Sequence, residues 1–258
     1  MRSKSPSFTV YFWSMSIKSF VPPKRRIYIE SLYNLMISEI EQSTDTLSFG
    51  TNLSRYLSYG ELARLLVRYE LLKMIKNQSG DIVEFGIFMG SGISNFLTLS
   101  ELQEPHNWTR RIIGFDTFEG LKSTEKDYGK LKAGMYKYSK KIHLQKILNL
   151  HSKNKLRPSN NTMLIKGDVM ETLPKFIKEE PSFLPALIYL DLDLYLPTRL
   201  VLERLVPFLR PGCIVAFDEL GMKDFPGETR AFLESAISNR GKLKKFEFAK
   251  VSYIQVSE

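Results

Sequence analysis

The residues best suited to chemistry in this chain are carboxylates set inside apolar runs. Ile188, Tyr189, Leu190, Asp191, Leu192, Asp193, Leu194 and Tyr195 follow one another and contain two of them. Desolvating an unpaired carboxylate costs several kcal/mol, on the order of a domain's whole stability margin. Asp191 therefore belongs where a strand leaves the core, or beside a cation. Twenty-seven residues later, Cys213, Ile214, Val215, Ala216 and Phe217 run into Asp218 and Glu219. Three hard oxygen donors without His or Cys beside them suit Mg²⁺ or Ca²⁺ rather than zinc. Asp193 is expected to turn away into the loop toward Tyr195, as a structural or substrate contact.

The elements that must position these acids are legible around them. From Thr198 to Leu209, apolar residues recur at helical spacing, and Arg210, Pro211 and Gly212 close the segment. Strand, helix and strand of this length form a βαβ unit with two parallel strands, adjacent at about 4.8 Å. Asp191, Asp218 and Glu219 then share the carboxyl edge of one sheet, where open α/β sheets bind ligands.

The same alternation extends upstream. Asp81–Gly86 reads as a first strand, Arg110–Phe115 as a second ending at Asp116, and Thr162–Lys166 as a third ending at Gly167 and Asp168. Helices are expected over 93–102, 171–178 and 227–239. Residues 244–248 and 251–256 alternate like a closing antiparallel pair. The fold class is α/β, a doubly wound, mostly parallel seven-stranded sheet. Two earlier helices are expected, over 27–41 and about 61–76 with Ser58 as cap; the first belongs to an N-terminal helical arm at 1–58 and the second opens a domain at 59–258.

Glu84, Gly86, Gly90 and Gly92 give an E-x-G-x-x-x-G-x-G turn after the first strand. It is neither the dinucleotide fingerprint nor a P-loop. Its glycines leave room for a backbone-close ligand, or they simply shape a tight turn. Asp116 is placed to take both hydroxyls of a ribose, and Asp168 to accept from an adenine amino group; each alone reads equally as a helix cap or loop acid. Acids at four successive strand ends on one edge are harder to ascribe to capping.

This order of motifs resembles the class I S-adenosylmethionine-dependent methyltransferases, and more narrowly the macrocin O-methyltransferase family. The segments that carry the resemblance are 80–86, 114–121, 190–195, 210–219 and 227–232, the most specific being Phe115, Asp116, Thr117, Phe118, Glu119, Gly120 and Leu121. The chain has Asp191, Leu192 and Asp193 where the family usually has Asp-Gly-Asp, Glu219 where it has a second Asp, and Lys122 where it commonly has Pro. The resemblance implies an S-adenosylmethionine- and Mg²⁺-dependent O-methyltransferase acting on a hydroxyl of a small molecule, a sugar or glycosylated metabolite. It implies cofactor contacts from Glu84, Gly86, Gly90, Ser91, Asp116 and Asp168. It implies Asp191, Asp218 and Glu219 on the metal, with Asp191 also taking the acceptor's proton. An RNA or protein methyltransferase of the same fold and a non-catalytic cofactor-binding protein are the alternatives.

The insertion at about 122–161 is too long for a plain connection. Between Lys122 and Arg157 it holds eleven Lys or Arg against Glu125 and Asp127. Tyr128, Tyr136 and Tyr138 are interleaved with the lysines, and Ile142, Leu144, Ile147 and Leu148 suggest a helix. The residues alone allow a lid, a cationic and aromatic track for single-stranded RNA, or a solvated helix. The resemblance favours the lid, and with it an acidic or glycosylated acceptor. His143 reads as a general base or, more ordinarily, a surface residue.

At 258 residues with 43% hydrophobic and 25% charged content, the chain builds one large domain with an arm. Net charge is +9. This fits a solvated lysine-rich surface, an acidic ligand or nucleic acid; nucleic acid is not the expected partner, and the two early helices could cover an active-site mouth or form the contact of a homodimer, between which the sequence does not choose. Cys213 is the only cysteine, so no intrachain disulfide forms. No apolar run approaches the ~18 residues of a membrane span. Residues 1–20 lack a signal peptide's apolar segment, so the expected location is cytoplasmic.

Overall fold

The computed structural model describes residues 23–42, 52–122, 131, 133–153, 155–156 and 161–257. Tyr128, Glu125, Asp127, Arg157 and the opening twenty residues lie outside the described residues. The chain divides between Ala63 and Arg64 into two compact units.

In the first unit, helix α1 spans Pro23–Gln42, and a short 3₁₀ turn spans Leu53–Tyr56. Arg55 pairs with Glu39 at 3.1 Å. Helix α2 spans Tyr59–Ile75, with Ser58 accepting from the Glu61 amide at 3.4 Å. Ser58 thus stands at the start of the helix, as its sequence position suggests.

The second unit holds the sheet. The strands are β1 (Asp81–Phe85), β2 (Ile112–Asp116), β3 (Thr162–Lys166), β4 (Pro185–Leu190), β5 (Ile214–Phe217), β6 (Leu243–Lys245) and β7 (Ser252–Gln255). They lie in the order β3-β2-β1-β4-β5-β7-β6. The first five are parallel, and the last two pair antiparallel. Helices α3 (Ser91–Gln103), α4 (Lys141–Lys153), α5 (Val169–Glu179), α6 (Tyr195–Leu205) and α7 (Pro226–Leu233) connect them. The expected seven-stranded, doubly wound α/β sheet is the observed one.

Alternation along the central strands builds the two core layers. Val83, Phe85, Ile188, Leu190, Val215 and Phe217 share one layer with Leu173, Phe176, Val201 and Leu202. Ile82, Leu187, Tyr189, Ile214 and Ala216 share the other with Leu71, Leu72, Ile93 and Phe96. Both faces are dry, so the strands read as nearly continuous apolar runs. Residues 227–239 do not form one helix. Extended Ser235 separates α7 from a 3₁₀ turn at Ala236–Asn239, and its hydroxyl bonds back to the Phe232 carbonyl. Among the described residues, no helix is long and apolar enough to cross a membrane.

Candidate active site

The strand order reverses between β1 and β4, which makes that point the sheet's ligand-binding crevice. The ladder continues one residue beyond the strands there. The Gly86 amide donates to Phe115 O, the Asp191 amide to Phe85 O and the Asp218 amide to Leu190 O, at 2.9, 2.9 and 3.0 Å. Asp191 and Asp218 thus follow directly on paired residues of neighbouring strands. Gly86 has φ +85°, and a Cβ on it would stand 1.8 Å from the Asp191 carbonyl oxygen. The glycine is required by this close approach as well as by its backbone angle.

The carboxylates gather as the topology demands, with one exchange. Asp191, Asp193 and Glu219 present oxygens that all lie within 4.8 Å of one another. Asp193 does not turn away as its sequence position suggested. The chain leaves β4 and folds back, Asp193 takes φ +61°, and its buried side chain joins the group. Asp218 faces a different way. Its Oδ1 accepts from the Tyr189 hydroxyl at 2.5 Å, and its Oδ2 is bonded by the Lys250 ammonium, which also reaches Glu219 Oε1 at 2.5 Å. Glu228, on α7, accepts the Glu219 amide at 2.6 Å.

So many acids in a dry place shift one another. Burial first, and then Asp218, push Asp191 up to about 7. Burial and neighbouring carboxylates hold Asp193, Glu219 and Glu228 well above the usual range. Burial also acts to raise Asp218, but Lys250, a hydrogen bond from Glu219 and Arg64 together outweigh that and hold it well below the usual carboxylate range. Lys250 and Arg64 supply the countercharge to Asp191, Asp193 and Asp218. Half-buried Asp191 and buried Asp193, Asp218, Glu219 and Glu228 share this place, and Glu219 Oε2 and Glu228 Oε1 have no hydrogen-bond partner among the described residues. Such a set, all hard oxygens and short of positive charge, fits a divalent ion.

The remaining expected site residues surround the glycine turn. Glu84 is buried within β1; its Oε1 accepts from Arg68 at 2.7 Å, while Oε2 is buried and unpartnered among the described residues. The Arg68 guanidinium lies over the Tyr189 ring at 4.5 Å, linking Glu84 to the tyrosine that holds Asp218. Ser91 begins α3 and is exposed. Asp116 takes the Ile87 and Phe88 amides on Oδ2, both at 2.8 Å, and the Phe118 amide on Oδ1 at 2.5 Å. Its carboxylate fixes the turn. Asp168 caps α5 through the Met170 amide and pairs with Lys122 at 2.8 Å. His143 is exposed on α4.

The insertion covers the turn. Tyr136 and Tyr138 pack edge-on to Phe88 at 5.7 and 6.3 Å, and a Cβ on Gly90 would meet Leu144 Cδ1 at 2.2 Å. Three side chains of this cluster stand out little or not at all in the sequence. Lys250 is one lysine among several in the closing hairpin. Glu228 looks like an ordinary first-turn helix acid. Arg68 alone leaves a trace, as a charge beside Val67, Leu71 and Leu72 in an apolar helix stripe.

An α/β sheet of this order, with a glycine turn and acids meeting at its switch point, defines a class I methyltransferase. The macrocin O-methyltransferase (TylF) family model matches residues 64–235. The chain belongs to that family and is an O-methyltransferase. It is similar in structure to CalS11, a calicheamicin methyltransferase, with 29% identity over 99% of both chains and a TM-score of 0.86. The apo form of CalS11, described as a TDP-rhamnose 3′-O-methyltransferase, is matched over 93% of this chain and 99% of that one, with 30% identity and a TM-score of 0.78. The O-methyltransferase NovP shares the fold, at 18% identity, 76% and 80% coverage and a TM-score of 0.57. No curated protein sequence matches the chain significantly.

Proposed function

We propose that the chain methylates a hydroxyl of a sugar carried on a small molecule, using S-adenosylmethionine and Mg²⁺. The observation that carries this reading is the convergence of Asp191, Asp193 and Glu219 next to the glycine turn. The similarity to CalS11, which acts on TDP-rhamnose, points to a sugar on a nucleoside diphosphate. A net charge of +9 suits such an anionic acceptor.

A sugar alcohol is a poor nucleophile, and when bound, the divalent ion supplies Lewis acidity that lowers the hydroxyl's pKa. Asp191, Asp193 and Glu219 would hold it, with Asp218 beside them as reserve. Asp191, at the sheet's carboxyl edge beside the ion, would also accept the hydroxyl proton. The sulfonium cofactor supplies an electrophilic methyl group for in-line displacement. Glu84 Oε2, buried and unpartnered among the described residues, suits the cofactor's ammonium. Gly86, Gly90 and Ser91 line its path, and Asp116 shapes the turn from behind. Asp168 stands further out as a helix cap that the adenine end can reach.

Residues 59–258 make the catalytic domain in this reading, and 122–161 its lid, with Tyr136 and Tyr138 excluding water over Phe88. A homodimer is supported by exposed Ile27, Leu35 and Ile40 on α1; a single-chain mass by light scattering would remove it. The function is tested by following labelled methyl from S-adenosylmethionine into a panel of nucleoside diphosphate deoxysugars, free sugars and RNA. Transfer to a nucleotide sugar is expected, and Asp191→Asn reduces it at least about a hundredfold. Transfer to RNA alone would overturn the assignment.

A further inference from the structure

Lys250 lies beyond the residues that the family model matches, in the tight connection between β6 and β7. The backbone fixes where it falls. Ser252 on β7 pairs with Phe217 on β5, so antiparallel register carried two residues further sets Lys250 opposite Glu219. Buried Phe246 and Val251 pin the connection, with the Phe246 amide on the Val251 carbonyl at 3.2 Å. The ammonium therefore reaches Asp218 and Glu219 together. The groups facing it are Asp191 and Asp193 from the loop after β4, Asp218 and Glu219 after β5, and, across the acids, Arg64 of α2.

We infer that Lys250 is a built-in competitor of the divalent ion, holding Asp218 and Glu219 when the ion is away and setting the affinity with which it enters. This rests on the reading of the acidic cluster as a metal site. Asp218, beside the group of Asp191, Asp193 and Glu219, is held on both oxygens, by Lys250 and by Tyr189. Glu219 spends one oxygen on the same ammonium. A divalent ion ligated by these carboxylates sits within a few ångströms of a lysine charge that repels it. The side chain is 36% exposed, so its four-carbon stem has a way out to solvent when the ion arrives.

The test measures Mn²⁺ binding to the metal-stripped full chain by calorimetry, in the wild type and in Lys250→Met, Lys250→Gln and Lys250→Arg. The neutral variants are expected to bind about tenfold tighter or better, and the arginine variant within about threefold of wild type. Neutral variants that bind equally or more weakly overturn the role of Lys250 and leave the metal site standing. No Mn²⁺ binding in any form overturns the metal site and this inference with it. A measurement on wild type alone guards against variants that fail to fold. Pulse acetylation read by mass spectrometry is expected to label Lys250 at least about threefold faster with Mn²⁺ than without, as the ammonium leaves its carboxylates. Labelling that metal leaves unchanged overturns the inference.

Discussion

Arg68 and Glu84 are the residues on which the interior of the site is built. Both are buried, and the guanidinium bonds one carboxylate oxygen while stacking on Tyr189 and, at 5.3 Å, on Phe96. Burial acts to raise Glu84, and Arg68 offsets part of that. Removing one partner of such a pair strands the other charge, at a cost of about 3–5 kcal/mol. Arg68→Ala is therefore expected to lower unfolding free energy in urea by about that amount. A loss below about 1 kcal/mol would show the pair to be solvated. Asp168 gives a pH-dependent counterpart. Burial acts to raise it, but Lys122 and the Met170 amide outweigh this and leave it below its ordinary 3.8. Its contribution is present above pH 3.8 and is lost as pH falls through its lower folded value. Asp168→Ala should cost about 1 kcal/mol at neutral pH. The deficit should shrink toward zero in acid; a deficit independent of pH would contradict the cap.

At this scale the sequence showed where the acids stand but not how they divide the work. Asp191 and Glu219 were legible because a strand ended at each. Asp193 was not, since its approach depends on a left-handed residue after β4 that no glycine marks. Asp116 and Asp168 sit where a nucleoside-binding reading wants them, yet their oxygens bond backbone amides and Lys122. Pattern alone does not tell a ligand-facing carboxylate from one that fixes its own turn.

Among the elements, the glycine turn with helix α4 over it forms one half of the site, and β4 with β5 the other. Leu144 of α4 fills the space beside Gly90 and is fully buried, with Leu148 behind it. Tyr136 carries its ring to Phe88, and its hydroxyl is raised by burial and by Asp193 and Asp191, which puts it beside the acids. Tyr136→Ala is expected to raise KM for the acceptor about tenfold while methyl-donor affinity by calorimetry changes little. Equal weakening of both would assign the ring to the turn's structure instead. The elements themselves were mostly readable. The strands are short apolar runs stopped by Gly, Pro or acid, and α6 and α5 show clear helical spacing. What the pattern missed are ends marked by local side-chain-to-backbone bonds. Helix α6 begins at Tyr195, where Thr198 bonds back to the Leu194 carbonyl, and α7 stops at a serine that prefers its own backbone.

Across the whole molecule, a net charge of +9 contrasts with the carboxylates gathered at the sheet's carboxyl edge. Under the proposed function, the +9 excess would draw an anionic acceptor toward the sheet's carboxyl edge, where the carboxylates would repel it unless a cation stands between them. In the proposed reaction a divalent ion would resolve that conflict, of which Lys250 and Arg64 resolve part. The most direct measurement is the initial rate of methyl transfer to a nucleotide sugar in excess EDTA, then with Mg²⁺ restored. Turnover is expected to fall at least about a hundredfold in EDTA and to return fully with Mg²⁺. Turnover unchanged by EDTA would contradict the account.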